Sequence, residues 1–257
     1  MPFREFLLGA AVIALPFGAS AQAVNGLYVG AGLGIDLHSD ESVKNLSIGN
    51  GPLGGLSTSG NSKFDLGWGG LTSLGYGFGN GFRAEGQFNY FTNKSSGFTG
   101  GSVPMHGSGT EDKYGFMANV IYDFVGVMPY VQPYLGAGIG VQWVNWHDFR
   151  GSNVNAIAFN GTTVAPGGLA ASSSGDAKAV FAYQAIAGLS FPIVSVPGLA
   201  LTTEYRFLGT TGNRSTSATY TGTSTTGGTL AANGKVQLGP TFDNIFLVGM
   251  RYNFRTF

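Results

Sequence analysis

Three histidines, His38, His106 and His147, are the side chains in this sequence best suited to move a proton near neutral pH. A hydrolytic site needs such a histidine beside a carboxylate that orients it and a nucleophile that it activates. His147-Asp148, close to Trp143 and Trp146, is the best candidate. Adjacent residues of an extended chain point to opposite faces, so the pair does not form a base and its orienter. Three scattered histidines without a single cysteine also give no convincing metal set. No catalytic, metal-binding or cofactor-binding residue is therefore expected, and the chain reads as non-enzymatic.

Two glycine runs, Gly30-Ala-Gly-Leu-Gly34 and Gly136-Ala-Gly-Ile-Gly140, superficially look like phosphate-binding loops. Such a loop must open a helix after a strand, whereas these glycines alternate inside apolar runs of strand character. They read instead as small residues in a crowded interior. The Asn-x-Ser/Thr triplets at Asn45, Asn93, Asn160 and Asn213 are what Asn-, Ser- and Thr-rich segments contain by chance.

A more ordered set of polar residues is carried by alternation. In Phe82–Phe91, Arg83, Glu85, Gln87 and Asn89 fall on one face, with Phe82, Ala84, Phe88 and Tyr90 on the other. In Leu199–Leu208, Glu204 and Arg206 oppose Leu199, Leu201, Tyr205 and Phe207. In Phe246–Phe254, Arg251 and Asn253 oppose Phe246, Val248, Met250, Tyr252 and Phe254. Strands that are aromatic on one face and charged on the other suit a wall between lipid and a polar lumen. Arg83, Glu85, Glu204, Arg206 and Arg251 would form a charge-paired lumen cluster, with Arg251 reaching Glu204 or stacking beside Arg206. Inward glycines at 30, 32, 34, 75, 77, 136, 138 and 140 would make room for it.

Five further segments share the period of two: 27–37, 64–78, 114–124, 133–143 and 181–191. Eight strands result, and their connections alternate in length. Those at 79–81, 125–132 and 192–198 are short. Those at 38–63, 92–113, 144–178 and 209–241 are long, polar and rich in Gly, Ser, Thr and Asn. This asymmetry is typical of barrels whose long loops face outside, and the last loop is expected to be the most mobile. A soluble sandwich would bury the apolar faces instead, leaving the Gly-, Arg- and Glu-bearing faces as a poor core.

The chain opens with Arg4, an apolar run from Phe6 to Ala19, and two small-x-small sites ending at Ala21 and Ala23. This is the pattern of an export signal, with residues 1–23 removed and 24–257 forming one domain. Too short and Pro-interrupted for a spanning helix, it removes one Arg and one Glu, so the net charge stays at zero. That balance gives no electrostatic case for nucleic acid. Charged residues at 10% and 44 glycines in 257 are unlike a soluble globule, while 13% aromatics argue against a disordered repeat.

The segments GLYVGAGLG (26–34), GFRAEGQFNY (81–90), MANVIYDF (117–124), VQPYLGAGIG (131–140), FAYQAIAGLSF (181–191), TTEYRF (202–207) and VGMRYNF (248–254) span the mature chain. In this order it resembles the small outer-membrane β-barrel family of Gram-negative bacteria, related to the OmpA transmembrane domain. The resemblance implies a single eight-stranded antiparallel up-and-down barrel. It would be inserted by the outer-membrane assembly machinery, which recognises a C-terminal aromatic strand: here Phe246, Val248, Met250, Tyr252 and Phe254. Family members usually end on the in-phase aromatic, yet this chain continues to Phe257, which is out of phase and leaves the closing residue open. The expected partners are outer-membrane lipid and lipopolysaccharide, with an unidentified extracellular ligand at the four long loops. The expected role is a surface or structural protein. The alternatives are a narrow channel and, from another class, a loop-borne hydrolase. Eight strands leave an interior just wide enough for side chains, which disfavours a general diffusion porin.

Overall fold

The computed structural model describes residues 23–99, 105–128, 130–173, 177–212 and 214–254; residues 1–22 of the expected export signal, and Phe257, lie outside them. All regular structure there is β: β1 (Asn25–His38), β2 (Glu41–Ile48), β3 (Ser57–Phe64), β4 (Gly67–Phe78), β5 (Phe82–Thr99), β6 (Met105–Asp123), β7 (Gln132–Asn153), β8 (Ile157–Phe159), β9 (Thr162–Val164), β10 (Leu169–Ser173), β11 (Lys178–Pro192), β12 (Leu199–Thr210), β13 (Arg214–Thr223), β14 (Thr229–Leu238) and β15 (Phe242–Asn253).

Every pairing is antiparallel. β1 pairs with β4 and β15, β4 with β5, β5 with β6, β6 with β7, β7 with β11, β11 with β12, and β12 with β15. The turn between β4 and β5 places Gly79 and Gly81 at φ of 75° and 96°, where a side chain would be strained, and Phe82 N donates to Asn80 Oδ1 at 3.1 Å.

The four long segments are corrected by the structure: they are largely strand, not loop. β5, β6 and β7 simply continue. The other five strands are interrupted and then resume, because β3 pairs with β5, β2 with β3, β14 with β2, β13 with β14, and β10 with β13 and β7. The described breaks fall at Ser39-Asp40, Asp65-Leu66, Thr211-Gly212 and Gly239-Pro240-Thr241. Segment 209–241, expected to be mobile, forms β13 and β14. There Thr216, Ala218 and Tyr220 are buried while Ser215, Ser217, Thr219 and Thr221 are exposed. The period of two is present, but small and polar residues carry it.

Phe64 is a second correction. It ends β3 and is separated from β4, so it does not join the outward row of Trp68, Leu74, Tyr76 and Phe78. It packs inward instead, against Trp146 and His38, with ring centroids 5.7 and 4.2 Å away.

Elsewhere the outward rows are as aromatic and exposed as a lipid-facing wall requires. Tyr76–Phe78, Phe82–Tyr122, Tyr122–Phe124 and Tyr252–Phe254 form a belt near the short turns, with centroids 5.4, 4.8, 5.1 and 5.1 Å apart. Tyr114–Trp143 and Phe207–Phe242 form a second belt near the breaks, at 5.9 and 6.0 Å. Trp68 and Tyr76 lie about 26 Å apart along β4 at roughly 3.3 Å per residue. With a strand tilt of about 40° this projects to about 20 Å along the axis, most of an apolar band ~25 Å tall.

The interior is filled in layers. Leu71, Phe91, Met117, Ala182, Leu208, Ile245 and Leu247 form a middle apolar layer. Beyond the breaks lies a larger apolar core that includes Val43, Val144, Trp146, Leu169, Tyr220 and Val236. Two polar clusters, one below the middle layer and one at the breaks, complete the packing.

Candidate functional site

The lower cluster contains the five charged residues singled out by alternation, and their partners follow from strand neighbourhood. Arg83 donates to Asp123 Oδ1 on β6 from Nε at 3.1 Å and Nη2 at 2.9 Å. It also donates to Tyr28 OH on β1 at 3.2 Å, and Tyr28 in turn donates to Glu85 Oε2 at 3.0 Å. Across the lumen, Arg206 binds Glu204 Oε2 at 2.6 Å, donates to Gln87 Oε1, and brings Nη2 to 4.0 Å from Glu85 Oε1. Tyr134 OH donates to Glu204 Oε1 at 2.7 Å. Asn119 and Gln184 link these groups, and Asn89 and Gln142 exchange two hydrogen bonds above them.

Arg251 is not where the sequence reading put it. Glu204 pairs with Leu247 in the β12–β15 ladder, and Arg251 pairs with Ala200 four residues away. Arg251 therefore donates to Ser190 Oγ at 3.1 Å and sits 6.0 Å from the Tyr28 ring centroid. Alternation gives the face of a residue but not the stagger between strands, and the stagger decides this contact.

The tyrosines that knit this cluster share the face of the inward glycines, Tyr28 with Gly30 and Tyr134 with Gly136, so alternation gives their direction but not their contacts. Each occupies space that a glycine leaves free: a Cβ on Gly75 would collide with the Tyr28 ring, and one on Gly188 with Tyr134. With Asp123 included, three arginines face three carboxylates. Each acid is held on at least one oxygen, as buried charge requires.

The cluster at the breaks was not anticipated. It gathers Asp36 and His38 from the end of β1, Glu41 from the start of β2, Glu111 and Lys113 from β6, Arg214 from the start of β13 and Asp243 from the start of β15. All are buried. Lys113 Nζ contacts Asp243 Oδ1 and lies 3.4 Å from Asp36 and 3.7 Å from Glu111. Arg214 bridges Glu41 Oε1 and Glu111 Oε2, the latter at 3.5 Å. Trp146 Nε1 donates to Glu111 Oε2, and His38 Nδ1 contacts Asp243 Oδ1. Burial, and then the neighbouring Glu111, push the Glu41 carboxyl well above its usual range, against the pull of Arg214. Burial alone would lower the Arg214 guanidinium, but Glu111 and Glu41 outweigh it and raise it.

The three histidines do not behave alike. His38 joins this cluster. His147 faces outward, with Nε2 2.9 Å from Asp112 Oδ2 across the β6–β7 ladder. The side chains of His106 and Asp148 lie outside the described residues.

At the C-terminus, Phe246, Val248, Met250, Tyr252 and Phe254 are all exposed in one outward row. Phe254 N donates to Leu27 O at 2.9 Å, so the row stays in register to its last described residue.

No family model matches the chain. A protein of Gluconacetobacter diazotrophicus named "Outer membrane protein" is 32% identical over 268 aligned positions, covering 100% of this chain. With the all-β fold described above, this likeness relates the chain to Gram-negative outer-membrane β-barrel proteins. Its residence in the bacterial outer membrane follows from the same likeness. The chain spans 65% of that relative's length. Among solved structures, the outer-membrane protein OprG of Pseudomonas aeruginosa aligns over 91% of this chain and 99% of its own, with a TM-score of 0.52 and 12% identity. That likeness concerns the fold. Neisserial surface protein A aligns over 91% of this chain and 100% of its own, with a TM-score of 0.42 and 17% identity.

Proposed function

We propose that this protein is a non-enzymatic surface anchor, a single eight-stranded up-and-down barrel whose resumed strands face outside the cell. Residues 1–23 would be the removed export signal and 24–257 the barrel. The strand count is supported by the pairings, which run β1–β4–β5–β6–β7–β11–β12–β15 and return to β1. The observation that carries the role is the filled interior. Among the described residues, a charged network, an apolar layer, a second charged cluster and an apolar core succeed one another along the axis, which supports a plugged interior over an open one. Such a barrel serves best to hold the outer strands rigidly, and their Ser-, Thr- and Asn-rich outward faces are the surface offered to lipopolysaccharide or an extracellular ligand. For insertion by the assembly machinery, the row Phe246 to Phe254 is the closing signal, with Phe254 ahead of Phe257.

Planar-bilayer recording of the purified chain tests the role. The anchor reading expects no unitary conductance steps, either for the native protein or after Glu204→Gln. Reproducible steps that change with Glu204→Gln would establish the narrow channel instead. Hydrolysis of lipopolysaccharide or peptide that is lost in His147→Ala would establish the hydrolase.

A further inference from the structure

The two charged clusters differ in balance. At the breaks, among the described residues, four carboxyl groups (Asp36, Glu41, Glu111 and Asp243) face two fixed cations, Lys113 and Arg214, a formal excess of two negative charges that is relieved in part where the Glu41 carboxyl is pushed up. Several of their atoms have no hydrogen-bond partner: Glu41 Oε2, Glu111 Oε1, His38 Nε2, Asp243 Oδ2, both oxygens of Asp36, and Asn93 Oδ1. Buried charge is seldom left so.

Three of these residues converge. One ligand atom each from His38, Glu41 and Glu111 lie within 4.8 Å of one another, and all three residues are buried. Arg214 takes Oε1 of Glu41 and Oε2 of Glu111; the other oxygen of each carboxylate accepts no hydrogen bond, with Lys113 Nζ 3.7 Å from Glu111 Oε1. His38 Nε2 lies 3.9 Å from Glu111 Oε1. Its ring is anchored from behind, with Nδ1 against Asp243 Oδ1. A ring that gives its Nδ1 proton to a carboxylate keeps its Nε2 lone pair for a metal ion, the usual outer-shell arrangement for a ligating histidine. Lys113 Nζ is also 2.9 Å from Nδ1 while contacting Asp243 Oδ1 and ion-pairing with Asp36 at 3.4 Å, so metal binding selects the tautomer in which Nδ1 gives its proton to Asp243.

A second grouping, Asp36, His38 and Asp243, also has converging ligand atoms. The Lys113 ammonium already stands there, so that place is filled. The place between His38, Glu41 and Glu111 has no such cation at its centre.

We infer that His38 Nε2, Glu41 Oε2 and Glu111 Oε1 bind one divalent ion of the zinc class at the junction between the membrane barrel and its outer strands. One imidazole and two carboxylates suit zinc, and a dication cancels the excess charge. Asn93, directly opposite Glu111 in the β5–β6 ladder, has a buried unpartnered Oδ1 on the same face for the fourth position. The apolar core above encloses the place, so the ion is structural and enters as the outer strands close.

The test is refolding of the full chain into detergent micelles with chelator, then with zinc ion alone, followed by desalting and elemental analysis. The expected result is one zinc per chain, an X-ray absorption spectrum of nitrogen and oxygen ligands with one imidazole, and a higher unfolding temperature than in chelator. His38→Gln and Glu41→Gln should each lower affinity by at least roughly the 10–100-fold that loss of an outer-shell partner causes, while His147→Ala retains it. Should a variant fail to fold, as judged by heat-modifiable gel migration, the native protein's stoichiometry and spectrum still decide. Less than a tenth of an equivalent in the native protein overturns the inference. So does zinc that survives His38→Gln, or a spectrum without imidazole.

Discussion

The lower lumen and the junction at the strand breaks are both buried and charged, yet they are built on different principles. In the lumen, three arginines meet three carboxylates, and the neutral donors Tyr28, Asn119 and Tyr134 bond the oxygens of Glu85 and Glu204. At the junction, four carboxylates share one lysine and one arginine, and oxygens are left over. The first arrangement leaves only Asp123 Oδ2 and Arg251 Nη1 of its charged groups without a hydrogen-bond partner. The second holds five interrupted strands at a level where the ladder is cut, and it calls for additional positive charge.

The largest effect expected from this contrast is at Lys113. Lys113→Met leaves Asp243, Asp36 and Glu111 without their ammonium in a fully buried site. It should cost about 3–5 kcal/mol, as removal of one partner of a buried ion pair does. Urea unfolding in phospholipid vesicles, followed by tryptophan fluorescence, measures it. A loss near zero would mean that the junction neutralises itself by other means, and the contrast would fall.

Arg206→Met should come next, at about 3 kcal/mol, the low end of the same range. Glu204 keeps 15% of its side chain exposed and so retains some solvation once the guanidinium is gone. Equal costs for Arg206 and Lys113 would show that water reaches both clusters alike.

Gly75→Val tests whether packing space or charge holds the lumen network together. The new side chain must push the Tyr28 ring from its contacts with Arg83 and Glu85. Overpacking of this kind costs roughly 1–3 kcal/mol. The paired change Gly75→Val with Tyr28→Ala should recover part of it in the same unfolding assay.

The smallest change concerns Tyr220 on β13, whose hydroxyl is buried without a partner. Burial raises its phenol from 10.0 to about 12. A raised acid favours the folded state below its unfolded value, and that contribution is lost as pH rises from 10 towards 12. Tyr220→Phe should remove this alkaline loss and add up to about 1 kcal/mol at neutral pH, since an unsatisfied hydroxyl is no longer buried. Unfolding midpoints at neutral pH and across the alkaline window decide it.

How much of this was legible depended on contrast between strand faces. The strands of the membrane wall announce themselves because one face is aromatic or aliphatic and the other carries Gly, Arg, Glu or Asn, as in Phe82–Phe91. Lumen residues such as Arg83, Glu85, Glu204 and Arg206 could thus be assigned a direction before any fold was known. Strands β2, β3, β13 and β14 read as loops in the sequence because their outward residues are polar and their large inward ones, such as Val43, Tyr220 and Val236, stand among Ser, Thr, Gly and Ala. Ser-Thr-Ser-Ala-Thr-Tyr alternates in burial but hardly in polarity. The members of the junction cluster were hidden for the same reason: Glu41, Glu111, Lys113 and Arg214 all lie in segments whose direction the sequence did not reveal.

The sequence by itself determined the lipid-facing rows, the short turns and the C-terminal aromatic strand, because a period of two and a lipid boundary act on each residue locally. Tertiary structure alone decided the stagger that sends Arg251 to Ser190 rather than Glu204, and the convergence of His38, Glu41 and Glu111. Those contacts join residues 61 and 73 positions apart. Only the closure of strands around a common axis brings such groups within ångströms of each other.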